Sequence, residues 1–460
     1  MDALVVTAGA FERGAMLFLL VAALSPYSPP TIAASTTPGL LTADAAYESA
    51  WTFRPVAGLN VIEIGFLALA LVWMLRTAVA GERRSRLDLH VLGLGTLIGA
   101  LHLFALARGE PGLIYQAFDV ERVAMVAVGY LVVSRMWLSG HQVGLLVTAL
   151  AGVLAAITAF LVVRHGLIGT TSFVSSDGQR TALIITEDTL LVGFAAVVAW
   201  GLYMDGLLRP RLQALAVTFV GAVVVMDLFS LRRASLVLLA AVLLVRGLWS
   251  PRRLAGVLAV LALAAALAIA AGPARSLGSD LAYTVQSLAL QTPNASTSQR
   301  FGELRSLDAN TDVVDVAAGR GLGALWNSYG SAPIDVVSFG SKETAFVRVG
   351  WHIVGLEWLY KLGVVGVVGL LLVLASGASR IREVMPRVSD RLLCSYASSL
   401  AVLAVVLLQN LFANPRLALF AGVTIGLVSK IMDSATLPPP VASPFPLRAR
   451  PRAPRLSSSV

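Results

Sequence analysis

The feature that most constrains this chain is its recurrence of apolar runs near membrane-spanning length, separated by short loops rich in arginine. A helix needs about 20 apolar residues to cross a bilayer, and somewhat fewer where its ends snorkel. Such runs lie at Gly14–Tyr27, Leu59–Ala80, Leu89–Ala107, Val123–Leu138, Val143–Val163 and Thr189–Met204. They continue at Leu212–Met226, Ala234–Val245, Leu254–Ala271, Ile353–Ser376, Leu392–Leu411 and Leu417–Ile431. The expected fold is therefore all-α: a polytopic helical membrane protein of about 12 transmembrane helices. A long extracytoplasmic loop, 272–350, precedes the tenth of them.

Composition agrees. The 460 residues are 57% hydrophobic and only 13% charged, against about 25% charged in soluble domains. That is too little charge to coat the two or three soluble domains that this length would otherwise make. The net charge of +9 fits the arginine retained in cytoplasmic loops of membrane proteins. No basic run interleaves with aromatic residues, so nucleic acid is not an expected partner. The single cysteine, Cys394, excludes an intrachain disulfide and any cysteine-based metal site, and its apolar surroundings suit packing.

Arginine placement sets the topology. With the N-terminus inside, the inner loops hold Arg83, Arg84 and Arg86, then Arg135, then Arg209 and Arg211. Arg246, Arg252 and Arg253 follow, and then Arg380, Arg382, Arg387 and Arg391. The outer loops carry mostly isolated basics: Arg54, Arg108, Arg122, Arg164, Arg180 and Arg416. This bias follows the positive-inside rule. It places both termini in the cytoplasm, with the first span read as an uncleaved anchor. Three regions result: N-terminal transmembrane helices over 1–211, a catalytic transmembrane region over 212–433 that includes the loop 272–350, and a disordered basic Pro-rich cytosolic tail over 434–460. Membrane lipids are the tail's expected partner.

The histidines His90, His102, His141, His165 and His352 form no metal-binding pattern, so neither a metal nor a cofactor is expected. Glu63 in the second apolar run and Asp227 at the end of the seventh are ionisable groups at membrane positions, and such groups are functional candidates. An interfacial hydrogen-bonded carboxylate explains Glu63 equally well. No ladder of carboxylates lies at mid-membrane, where a proton-coupled transporter would place its coupling groups.

The sharper constellation lies on the outer face. Arg232 and Arg233 stand side by side before the eighth span. Ser298 and Arg300 lie in the long loop, followed by Gly319, Arg320, Gly321 and Gly323. His352 then leads into the tenth span, with Gly363 and Gly366 beyond it. Glu357 and Lys361 are spaced for an i,i+4 pair. The glycine run suits a tight turn better than a phosphate cradle. Gly363 and Gly366 suit close approach of a neighbouring helix.

In order and spacing these parts resemble the O-antigen polymerase and O-antigen ligase superfamily of bacterial envelope enzymes. The resemblance covers roughly 212–366. Family members show Ser-Arg-Gly where Arg232, Arg233 and Ala234 stand here, a Ser-x-Arg where Ser298 and Arg300 stand, and a histidine eleven residues before Gly-x-x-Gly. This chain departs in having Ile353 after the histidine and Lys361 where an acidic residue often precedes the first glycine. The resemblance implies an inverting, metal-independent glycosyltransferase in the bacterial inner membrane, active at the extracytoplasmic face. Its donor is a glycan linked through diphosphate to undecaprenol, and its acceptor a glycan or lipid. It implies His352 as the catalytic general base and Arg233 and Arg300 as donor-binding residues, assisted by Arg232. Arginine suits diphosphate because its planar fork binds two oxygens and stays charged. Histidine suits a base working near neutral pH. The alternative is a transporter or flippase for a lipid-linked or anionic solute, in which the outer arginines form an entry site.

Overall fold

The computed structural model describes residues 2–25, 60–80, 86–109, 113–168, 189–229, 233–248, 251, 253–255, 258, 311–324, 326–327, 347–348, 354–388, 390–409 and 415–436. The described chain is helical. In order it forms α1 (Asp2–Leu24), α2 (Val61–Ala80), α3 (Arg86–Ala107), α4 (Leu113–Arg135), α5 (Gly140–Ile168) and α6 (Thr189–Met204). Then come α7 (Pro210–Phe229), α8 (Arg233–Leu248), the single-turn α9 (Val313–Ala318), α10 (Val354–Val384), α11 (Arg391–Gln409) and α12 (Pro415–Thr436). Within the loop, β1 (Trp326–Asn327) pairs antiparallel with β2 (Val347–Arg348), Trp326 opposite Arg348.

Among the described residues, six helices are long and apolar enough to cross a membrane: α2, α3, α5, α10, α11 and α12. Shorter apolar helices lie in α6, α7 and α8. The expected ninth span falls largely outside the described residues, as does the tail after Thr436. Helix α4 begins at Leu113, ten residues before the apolar run that marked it. The added turns bring Asp119, Glu121 and Arg122 into the helix, which is why a hydropathy criterion passes it over. Helix α10 runs on to Val384, beyond the Ser376 end of its apolar run.

Helix α12 is the axis of the bundle and is mostly buried. It lies along α4 so closely that backbone touches backbone. A Cβ added at Gly422 would overlap Val126 O, and one at Gly129 would overlap Leu419 O. Gly426 stands one turn further on, against Val133 and Tyr130. In lipid there is no hydrophobic drive between helices, so small residues that admit close contact carry the association. Helices α3 and α10, in contrast, leave most of their surface outside the protein.

The helices alternate in direction, and ion pairs identify the two ends. At one end Asp88 of α3 meets Arg135 of α4 at 2.8 Å, and Arg380 of α10 meets Asp433 of α12 at 3.9 Å. Arg246 of α8 pairs there with Asp205, which follows α6. At the opposite end Arg416, opening α12, donates to Ala23 O near the end of α1 at 2.7 Å. Lys361 of α10 meets Asp119 of α4 at that same end. Arg233 begins α8 at this end too, because Arg246 fixes the other terminus of that helix.

Candidate functional site

The site begins with a broken helix. Gly363 has φ 62° and ψ −177° inside α10, a backbone conformation that L side chains rarely adopt. A Cβ there would overlap Ala317 O and Gly319 N. The break withdraws carbonyls of the preceding turn from their usual helical donors. In an apolar environment such groups must find partners. The segment Gly319–Gly323 supplies them: Arg320 N donates to Tyr360 O at 2.9 Å and Gly321 N to Lys361 O at 3.0 Å.

That segment is a tight turn because every other residue is a glycine with positive φ: Gly319 at 79°, Gly321 at 85° and Gly323 at 80°. The N–H groups of all three glycines are spent within the protein. Gly319 N reaches Asp315 O at 2.8 Å and Ala324 N reaches Gly321 O at 3.3 Å. Gly323 N reaches Asp119 Oδ2 at 2.6 Å. This matches the expected turn. Of the turn's two non-glycine side chains, Leu322 is buried and Arg320 is partly exposed. Arg320 donates to Tyr360 Oη at 3.1 Å, and its Nε lies 3.8 Å from Asp315.

Beneath the turn lies a buried ion network. Lys361 Nζ lies 2.7 Å from Asp119 Oδ2 and 2.6 Å from Glu357 Oε1. The Lys361 and Asp119 side chains are both 0% exposed, so neither charge is offset by water. Arg122 adds a second cation 3.5 Å from Asp119 Oδ1. The i,i+4 pair of Glu357 and Lys361 is thus present, and Asp119 from another helix completes it. Lys361 thus has two carboxylates as counter-charge, Glu357 on its own helix and Asp119 on α4.

A clamp on α3 holds the approach to the turn. Arg108 reaches Asp315 at 2.6 Å and Asp312 at 3.2 Å. Asp312 caps α9 by accepting from Asp315 N at 2.7 Å, and Asp315 returns the bond from Asp312 N at 3.2 Å. The Asp315 N–H, and secondarily the Arg108 guanidinium, hold the Asp312 carboxyl below its ordinary pKa. Ala105 and His102 of α3 lie against Gly321, where an added Cβ would overlap the Ala105 Cβ and stand 3.5 Å from His102 Nδ1.

Of the expected site residues, His352, Arg300 and Arg232 lie outside the described residues. Arg233 is the first residue of α8, and its side chain is also outside them. Asp227 sits in α7 with its side chain likewise undescribed. Glu63 is explained locally: its carboxylate accepts from Asn60 N and its own N–H donates to Asn60 Oδ1, both at 2.9 Å, a reciprocal helix cap. Cys394 packs near the carbonyls of Val388 and Met385. Arg108, Arg122 and Arg416, read as isolated basics of outer loops, are instead engaged by the protein, Arg122 and Arg416 from within helices. Among the described residues no group of His, Cys, Asp and Glu is arranged to hold a metal ion.

Asp119 escaped the sequence reading, and Arg320, named there within the glycine run, was given no role. Asp119 fell in a presumed loop because the apolar run starts at Val123. A faint signal existed: Asp119, Glu121 and Arg122 extend the same run without a Gly or Pro break. No protein-family model matches the chain, and no curated protein matches it.

Proposed function

We propose that this chain is a membrane glycosyltransferase of the O-antigen polymerase or ligase kind. It transfers glycan units from an undecaprenyl-diphosphate-linked donor to a glycan or lipid acceptor at the extracytoplasmic face of the bacterial inner membrane. One observation carries the reading. The glycine-rich segment at 319–323 and the Gly363 region, about 40 residues apart, are joined by backbone hydrogen bonds. They are joined at the end of the bundle where Arg233 opens α8, so parts that the resemblance links only by order lie on one end of the molecule. The basic end, with Arg135, Arg209, Arg211 and Arg380–Arg391, faces the cytoplasm in this reading.

In this chemistry Arg233 and Arg300, with Arg232 assisting, neutralise the donor diphosphate. His352 accepts the proton of the acceptor hydroxyl. The acceptor oxygen bonds to the anomeric carbon as the bond to the diphosphate oxygen breaks. Undecaprenyl diphosphate leaves, and the single in-line displacement inverts the centre. Diphosphate so neutralised is already a good leaving group, so the reading requires no metal or general acid.

The depth of the buried charges favours this over a transporter or flippase. Lys361 stands five residues inside the span that begins at Leu356. At 1.5 Å per residue that is about 7.5 Å, well short of the middle of a core about 30 Å thick. A transport site is expected near the midplane. The test is purified protein in liposomes given lipid-linked oligosaccharide and acceptor. Chain extension or transfer by the wild type, lost in His352→Ala and Arg233→Ala, supports the reading. Product unchanged in both variants defeats it.

A further inference from the structure

Burying Asp119, Lys361 and Glu357 together is costly, and apolar residues of similar volume would hold two helices together as well or better. The chain nevertheless keeps these charges, and their geometry indicates why. Asp119 Oδ2 accepts from two donors at once: Lys361 Nζ at 2.7 Å and Gly323 N at 2.6 Å. The first donor belongs to α10, just before its break. The second belongs to the turn that fills the break. A leucine at 119 could pack between α4 and α10, but it could not accept from Gly323.

We propose that Asp119 is a positioning residue: it fixes the Gly319–Gly323 turn on the broken helix α10, and so sets where Arg320 presents its guanidinium to the anionic part of the substrate. The turn is held on one side by the Tyr360 and Lys361 carbonyls and on the other by the Asp119 carboxylate. Both supports meet at Lys361, whose carbonyl accepts from Gly321 while its ammonium pairs with Asp119. Arg320 is already oriented, bonded to Tyr360 Oη and directed along the Arg108 clamp by Asp315. An anionic substrate group at this end meets a guanidinium whose backbone cannot drift. The substrate clause rests on the glycosyltransferase reading; the positioning clause does not.

Asparagine and leucine at 119 separate the roles of charge and acceptor. Asp119→Asn keeps an oxygen for Gly323 and removes the charge. Asp119→Leu removes both, and leaves Lys361 still paired with Glu357, so no lysine is stranded. Asp119→Ala replaces it if the leucine variant does not fold. Hydrogen exchange of the full-length protein in nanodiscs reads the turn directly, with the amides of α12 as the control for intact fold. The expected result is exchange at 319–324 faster by about tenfold or more in Asp119→Leu and near wild type in Asp119→Asn. Unchanged exchange in Asp119→Leu, or equal acceleration in both variants, overturns the proposal.

Kinetics with the lipid-linked donor then test the substrate clause. A loosened turn should raise KM for donor by about tenfold with a smaller change in kcat. An unmoved KM in a variant whose turn has loosened overturns the role given to Arg320. If the wild type does not use the donor at all while the exchange pattern appears as expected, the glycosyltransferase reading falls and the positioning role stands.

Discussion

Both ends of the bundle bury ion pairs, but the pairs join different things. At the end marked by Asp88, each clip connects intact helices. Asp88 accepts from Tyr130 Oη at 2.7 Å and from Arg135 at 2.8 Å, tying α3 to α4. Glu12 accepts from Arg76 and from Trp137 N, both at 3.1 Å, tying α1 to α2 and to the end of α4. The Arg76 guanidinium also lies 3.3 Å from the centre of the Trp137 ring, where a cation is attracted to the π face. At the Lys361 end, the charges hold an interrupted helix and a glycine turn that no regular hydrogen-bond ladder could hold. Regular helices satisfy their own backbone, so charge between them adds registry. Broken backbone in an apolar setting needs partners from elsewhere, and is tolerated where protein buries it. One end is therefore a set of fasteners between whole helices, and the other is a support for a break and its turn.

The sharpest way to test this division is to compare activity with stability at each end. If His352 is the proposed general base, His352→Ala should cost about 10²–10⁴-fold in kcat. Its thermal unfolding should barely move. A matching fall in unfolding temperature would place His352 among the fasteners. Next in size is Asp88→Ala, which leaves Arg135 and the Tyr130 hydroxyl without their carboxylate at a site 6% exposed on the Asp88 side. Breaking a buried pair costs about 3–5 kcal/mol. The loss should appear in detergent unfolding, with turnover per folded molecule unchanged.

Gly363→Ala should come third. The positive φ strains any side chain, and the new Cβ meets Ala317 O and Gly319 N. The cost is about 1–3 kcal/mol of local strain, seen as faster amide exchange in α9 and the turn before any global unfolding. Slower exchange, or none, would show that the break is not needed for docking. The smallest effect concerns pH. The folded-state pKa of Asp312 is lowered by its cap bond and by Arg108. Its contribution to docking of α9 is therefore fully present above the ordinary aspartate value, about 3.9, and is lost as pH falls through the lowered value. The stability difference between wild type and Asp312→Asn should vanish in that acid range and return above it. A difference constant with pH would show that the carboxylate charge plays no part.

Much of this was legible in the chain. The i,i+4 spacing of Glu357 and Lys361 gave the pair, and alternate glycines at 319, 321 and 323 gave the turn. A hydrogen-bonded carboxylate at Glu63 was one of the two readings its position near a helix end allowed, and the Asn60 cap is the form it takes. Hydropathy misplaced the start of α4, because Asp119, Glu121 and Arg122 lower the apolar average just where the helix continues. Asp119 thus fell outside every expected span, when it is wholly enclosed. Similarly, Arg122 and Arg416 looked like loose outer basics because a sequence does not reveal what a guanidinium meets.

The sequence by itself determined the helical class and the concentration of basic residues at one end. Lipid leaves the backbone no partners but its own, so the length of each apolar run is nearly enough to decide its structure. Tertiary structure decided the break at Gly363 and the trio of Asp119, Lys361 and Glu357. A glycine between Leu362 and Val364 reads as helix until another segment competes for its neighbours' carbonyls. Here that segment is the Gly319–Gly323 turn, about 40 residues earlier in the chain. Likewise, a carboxylate and an ammonium 242 positions apart carry no mark of each other in the sequence, because their attraction acts only once folding has removed the water between them.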